Sequence, residues 1–311
     1  MTHKTKLFLR SLIAVSLVAL PVAAQNAPAS APARSAEKPK LYNTAKQKLL
    51  EGKQVFSFTQ STFDIPGYCE KAKHYDYTWF EMQHSTLEFK DVEAMIAACP
   101  HAGAIPFIRL PDAQEFHIQH ATDLGALGII VPTVDDVARA REAANWARYP
   151  PVAHRSSGTN KGSGIWGPAY AKTFNDNVLV VVMIESPTGV ANAYDIARTD
   201  GVDVVIIGNN DMSVFSGFPQ NDDRYQALVK KVYEDVKKAG KIFGQANAIY
   251  AKGHPLSSDS FFFQNGPSND GYVPVGPGGT TVNPNAAPQG EEGPTAPAGG
   301  RGGRSGRGGK Q

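Results

Sequence analysis

Two β-branched runs in this chain each lead to a carboxylate. Val178-Leu-Val-Val-Val-Met-Ile184 runs into Glu185, and Val202-Asp-Val-Val-Ile-Ile207 runs through Gly208-Asn-Asn into Asp211. Runs this short and this apolar read as strands buried on both faces, as in parallel sheets. An acid at the end of such a strand lies at the carboxyl-terminal edge of the sheet, where α/β folds gather their reactive groups. Two acids on neighbouring strands can hold one divalent cation through hard oxygen donors. Further polar residues follow other apolar runs: Glu81, Gln83 and His84 after 77–80, and Arg109 after 104–108. An arginine at such an edge can face developing negative charge, and a histidine can accept a proton near neutral pH.

Positioning these groups requires a repeating scaffold. Candidate strands fall at 55–59, 77–80, 104–108, 128–132, 178–184, 204–207, 242–244 and 261–263. Segments with apolar residues at helical spacing lie between them, among them 135–148 and 224–239. In the latter, Tyr225, Leu228, Val229, Val232 and Val236 share one face, Lys230, Lys231, Lys237 and Lys238 lie off it, and Gly240 supplies the stop. Eight strands alternating with helices predict a (β/α)8 barrel. An open doubly wound sheet is the alternative, but no Gly-x-Gly-x-x-Gly turn follows the first strand.

The ends of the chain have a different character. Lys4, Lys6 and Arg10 precede the apolar stretch 11–20, and Val22-Ala-Ala24 offers small residues for cleavage, so residues 1–24 read as a secretory signal peptide. Residues 25–40, rich in Ala, Pro and Ser, read as a linker, and 267–311, rich in Gly and Pro, as a disordered tail. The barrel then occupies 41–266. These features predict a secreted or periplasmic protein with no stable membrane anchor once the signal is removed. The chain is 19% charged with a net charge of +2, which gives no electrostatic case for nucleic acid as a partner. Cys69 and Cys99, the two cysteines, can pair in an oxidising compartment or remain separate buried thiols.

Seven motifs in order carry a resemblance: Trp79-Phe-Glu-Met-Gln-His84, Ile108-Arg109, Asp123-Leu-Gly-Ala126, Ile130-Val-Pro-Thr-Val134, Arg148-Tyr-Pro-Pro151, Ile184-Glu-Ser186 and Ile207-Gly-Asn-Asn-Asp-Met-Ser213. The chain resembles the HpcH/HpaI aldolase/citrate lyase family, and within it the metal-dependent pyruvate aldolases. That resemblance implies a barrel of the phosphoenolpyruvate/pyruvate-domain type and cleavage of a hydroxylated 2-oxo acid to pyruvate, or a related oxo acid, and an aldehyde. It also implies roles for individual residues. Glu185 and Asp211 would bind Mg2+, Mn2+ or Co2+, and the enolate would form on that metal. Arg109 would bind the keto oxygen, the amides of Asn210 and Asp211 the substrate carboxylate, and His84, paired with Asp123, would set up the proton acceptor.

The chain also departs from the family pattern. Gln83 stands where the family carries an acid beside the histidine, and the turn before Asp211 reads Gly208-Asn-Asn. The helix that follows the eighth strand in family members, and helps build their hexamer, is missing from the sequence pattern. A homo-oligomer is expected only in some other form. Two alternatives stay open: a lyase of the citrate-lyase or malyl-CoA type, and a catalytically inactive exported barrel that binds a metal or an organic acid.

Overall fold

The apolar runs close into a barrel because every second residue of each turns inward. The structure, a computed structural model, describes residues 41–158, 161–247 and 256–273. The signal peptide, the linker and most of the tail predicted above lie outside them. Eight parallel strands form a closed barrel in chain order: β1 (Val55–Gln60), β2 (Tyr77–Glu81), β3 (Ile105–Arg109), β4 (Gly128–Val131), β5 (Leu179–Ile184), β6 (Val204–Ile207), β7 (Ile242–Asn247) and β8 (Phe262–Asn265). The predicted (β/α)8 fold is the observed one, and each predicted strand overlaps an observed strand.

Tyr77, Trp79, Phe107, Ile130, Val181, Met183, Val204, Ile206 and Phe262 pack into one buried inner cluster. Their strand neighbours Phe80, Ile108, Ile129, Val180, Val182, Ile184, Val205 and Ile207 belong to a second cluster with the helices. The helix Asp223–Lys238 shows the match in detail: its buried residues are Tyr225, Val229, Val232 and Val236, and Asp222 caps its first turn. At the base of the barrel, buried Asn43 caps the helix Thr44–Leu50 through Lys46 N–H and donates to the carbonyls of Leu127 and Asn177. Among the described residues no helix is long and apolar enough to cross a membrane.

Cys69, on the helix Ile65–Lys71, is joined by a disulfide to Cys99, which follows the helix Phe89–Ala98. Of the two readings that the sequence left open, the structure takes the paired one. The bond spans a sequence separation of 30, and loop-closure entropy puts its contribution at about 3–4 kcal/mol. Cys69→Ser/Cys99→Ser is therefore expected to unfold at clearly lower urea concentration than the oxidised protein. A denaturation midpoint unchanged between the two would contradict this.

Residues 267–273, which composition assigns to the tail, lie against the barrel after β8. Asn269 N–H donates to the His74 carbonyl, and the Asn269 amide donates to Asp76. Tyr272 stacks on His74 with ring centroids 3.9 Å apart, and Asp270 pairs with the same histidine. Specific polar contacts and one ring stack hold this segment where composition alone reads disorder. Among the described residues no helix follows β8.

Candidate active site

The inward alternation that fills the barrel also places its chemistry. Two residues beyond Trp79, Phe107 and Met183 on their strands come Glu81, Arg109 and Glu185, so all three carry the inward face to the mouth. Glu81 and Arg109 are register partners on β2 and β3. With a side chain only 8% exposed, Arg109 donates from Nη1 to Glu81 Oε2 at 3.1 Å and from Nη2 to Glu185 Oε1 at 3.5 Å. Its guanidinium lies 6.0 Å from the Trp79 ring centroid. Its Nε–H is buried and has no hydrogen-bond partner. A buried donor without a partner is costly, and at a cavity wall it is a place for an anionic oxygen.

Glu81 has a larger part than sequence reasoning gave it. Its Oε2 accepts from both Trp79 Nε1 and Arg109, and its Oε1 accepts from the amides of Gln83 and His84. One carboxylate thus orients the arginine and holds the turn that presents His84. The sequence placed Glu81 at the end of an apolar run, as it did Glu185, but gave no sign of these partners. Gln83, at the position of the family's second acid, has its Oε1 buried without a partner.

Glu185 is fully buried. Its Oε2 accepts from Thr133 N–H at 2.6 Å and from Thr133 Oγ1 at 3.2 Å. Thr133 sits at φ 50°, left-handed backbone that a β-branched residue rarely adopts. Nothing in the sequence marks it, since a threonine is the wrong residue type to suggest that conformation. Burial pushes the Glu185 carboxyl above its ordinary range, Arg109 and the Thr133 amide pull it back, and the Asp211 charge raises it again. The two acids are therefore electrostatically coupled.

Gly208 follows β6 and caps the helix Asn209–Ser216. A Cβ on Gly208 would stand 2.0 Å from Glu185 Oε1. Glycine is required there for space. Gly208→Ala is expected to swing the Glu185 carboxylate out of place and cut kcat about 100-fold, with far-UV circular dichroism unchanged; wild-type turnover in this variant would contradict the geometry. The first-turn amides of Asn209, Asn210 and Asp211 precede the first intrahelical bond, Met212 N–H to Gly208 C=O, and are the donors that a helix start can offer to an anion. Tyr225 Oη donates to the Asn209 side chain, and Gln220 Nε2 donates to that of Asn210.

A cavity of about 420 Å3 at this mouth is lined by His84, Arg109, Glu185, Gly208, Asn210 and Asp211, together with residues from β7 and β8. The predicted site residues thus converge, with one exception. Asp123 ends the helix Glu115–Asp123, which runs from the mouth after β3 back to the base before β4. Within this chain it is not the partner of His84, and its carboxylate accepts from Arg155 Nη2 at 2.6 Å. Arg155 is itself fully buried, 4.3 Å from the Tyr149 ring centroid and 4.2 Å from that of Phe174, and anchors a loop. Within one chain the expected His84–Asp123 pair does not form, because a helix that returns antiparallel to its strand carries its last residue to the opposite rim.

Glu185 and Asp211 offer an all-oxygen donor set, and among the described residues no cluster of three or more His, Cys, Asp and Glu side chains accompanies them. Two carboxylates of this kind could hold a hard divalent cation only with further ligands from outside these side chains.

The model of the HpcH/HpaI aldolase/citrate lyase family matches residues 66–253. The chain belongs to this family. It is 30% identical over 212 residues to the 2-keto-3-deoxy-L-rhamnonate aldolase of Klebsiella pneumoniae, covering 66% of this chain and 79% of that one. It is 32% identical over 176 residues to the hydroxypyruvate/pyruvate aldolase of Rhizorhabdus wittichii, covering 57% of this chain and 70% of the relative. Among solved structures, a family member from Burkholderia cenocepacia superposes with a TM-score of 0.65 at 23% identity, covering 71% and 91% of the two chains, and shares the fold.

Proposed function

We propose that this protein is a divalent-metal-dependent aldolase that cleaves a hydroxylated 2-oxo acid to pyruvate, or a related oxo acid, and an aldehyde. The observation that carries this reading is the Glu81–Arg109–Glu185 array, with Asp211 across the same cavity, in a chain whose curated relatives are named as aldolases. Glu185 and Asp211 would hold Mg2+, Mn2+ or Co2+, which supplies Lewis-acid polarisation of the 2-oxo group when bound.

The chain's own groups carry the remaining work. The first-turn amides at Asn210 and Asp211 bind the substrate carboxylate. His84 accepts the proton of the C4 hydroxyl, the electrons of that O–H bond form the aldehyde carbonyl, and the C3–C4 bond breaks. Its electron pair moves into the C2–C3 enolate, whose oxygen faces the unpartnered Nε–H and the Nη groups of Arg109. The proton taken up by His84 returns, directly or by way of solvent, to C3 and completes the oxo acid, so that His84 ends neutral. Glu81 neither binds substrate nor moves a proton here; it positions Arg109 and His84.

The signal-peptide pattern supports export, and the Cys69–Cys99 disulfide fits an oxidising compartment. The test is a coupled assay for pyruvate release from 4-hydroxy-2-oxo acids, run on the purified chain with Mn2+, Co2+ or Mg2+ and after chelation. Cleavage that requires the cation is the expected result. Tight cation binding without cleavage of any oxo acid would favour an exported binding protein instead.

A further inference from the structure

The turn after β4 is clamped onto the end of β5, with Thr133 at its centre. Val134 N–H donates to the Met183 carbonyl at 2.9 Å. Ser186 Oγ donates to the Asp135 carboxylate, and Asn192 Nδ2 donates to the Asp135 carbonyl at 2.8 Å. The residues that follow Thr133 therefore grip β5 on both sides of Glu185. Pro132, buried and with its φ fixed by its ring, limits the backbone just before it. Between these constraints Thr133 stays at φ 50°, a conformation that a β-branched residue adopts only where its surroundings hold it there. Both donors of this strained residue go to one atom. The amide reaches Glu185 Oε2 at 2.6 Å and the hydroxyl reaches it at 3.2 Å. A carboxylate oxygen offers about two lone-pair directions, so Oε2 is saturated. Oε1 keeps a single contact among the described residues, Arg109 Nη2 at 3.5 Å, the outer limit of a hydrogen bond. It faces Gly208, which opens the turn to Asp211.

We infer that Thr133 is a positioning residue that makes Glu185 a one-oxygen ligand, and so selects a small six-coordinate cation over Ca2+. The inference rests on the cation reading above and deepens it. Ca2+ gathers about six to eight oxygens and commonly takes both oxygens of one carboxylate. To take Glu185 in that way it must displace a Thr133 donor from Oε2. The displaced amide or hydroxyl would then lose its acceptor at a partly buried site, which is costly. Mg2+ and Mn2+ prefer an octahedron of single oxygen donors and lose nothing when Oε1 alone is offered. A threonine with a merely structural part would satisfy its donors within its own loop. Here both are spent on a carboxylate that lines the cavity.

The test titrates Mn2+ and Ca2+ by calorimetry into the full chain after chelation, in the wild type, Thr133→Val and Thr133→Ser. The wild type is expected to bind Mn2+ more tightly than Ca2+. Thr133→Val keeps the amide and the branching but removes the hydroxyl. It is expected to narrow the ratio of the Mn2+ and Ca2+ affinities by roughly tenfold, the worth of one hydrogen bond to a charged group. Thr133→Ser restores the hydroxyl and is expected to keep the wild-type ratio. Thr133→Ala removes the same hydroxyl with less bulk and reads the same ratio if Thr133→Val does not fold. An unchanged ratio in the variants without the hydroxyl, a Thr133→Ser protein that shifts as they do, or wild-type binding of Ca2+ as tight as that of Mn2+ overturns the inference and leaves the cation reading standing. A wild-type chain that binds neither cation sinks both.

Discussion

Arg109→Ala is expected to lower kcat by about 10²- to 10³-fold, the usual cost of removing a donor from a developing oxyanion. It should also weaken the fold. Glu81 and Glu185 are both buried, and Arg109 is the cation that bridges them. Its removal leaves two buried carboxylates without the cation that pairs them among the described residues, a change that costs on the order of 3–5 kcal/mol when a buried ion pair is broken. Added Mn2+ should return part of this lost stability by restoring positive charge at the same place. Arg109→Lys should rescue little, because a single ammonium cannot fork between two acids and still present a free N–H to substrate. Thermal unfolding with and without Mn2+, beside steady-state kinetics, reads both effects. An Arg109→Ala protein with wild-type turnover would remove the arginine from the mechanism.

Glu185→Gln carries the second large effect. With one of the two carboxylate ligands neutralised, several kcal/mol of cation-derived stabilisation disappears, so kcat/KM should fall by at least about 10³-fold. The fold should survive, because the Arg109–Glu81 pair remains and the side chain keeps its shape against Gly208 and Thr133. The distinguishing readout is linkage. Wild-type protein should gain about 2.7 kcal/mol of stability at a cation concentration 100 times Kd. Glu185→Gln should gain almost none over the same range. A full cation-induced shift in this variant would place the cation elsewhere.

The scaffold was largely legible because burial on both faces leaves an unmistakable mark. The runs ending at Ile184 and Ile207 are uniformly apolar, and both ended where expected. At β7 the expectation stopped at Gly244, whereas the strand continues to Asn247. Its last residues, Gln245-Ala-Asn247, break the apolar run by which the sequence marks a strand, and Ala246 lines the cavity at the mouth. Within the site, position at the end of an apolar run marked Glu185, Arg109 and Glu81 alike, but nothing in the run showed that Glu81 would orient Arg109 and hold the turn at His84. Asp123 came from the family resemblance alone; a residue that precedes a strand lies at the base of its own barrel, and there its carboxylate accepts from Arg155. Thr133 was invisible for another reason: its role depends on backbone conformation opposed to its residue type.

The account's central claim is that this mouth activates a 2-oxo acid by drawing charge onto its keto oxygen. Exchange of the methyl protons of pyruvate in D2O, followed by proton NMR, tests it without requiring knowledge of the aldehyde. The account predicts exchange by the wild-type chain that depends on a divalent cation, stops on chelation and is lost in Arg109→Ala. A folded, cation-loaded protein that leaves the methyl signal unchanged, or an Arg109→Ala variant that exchanges as fast as wild type, would contradict it.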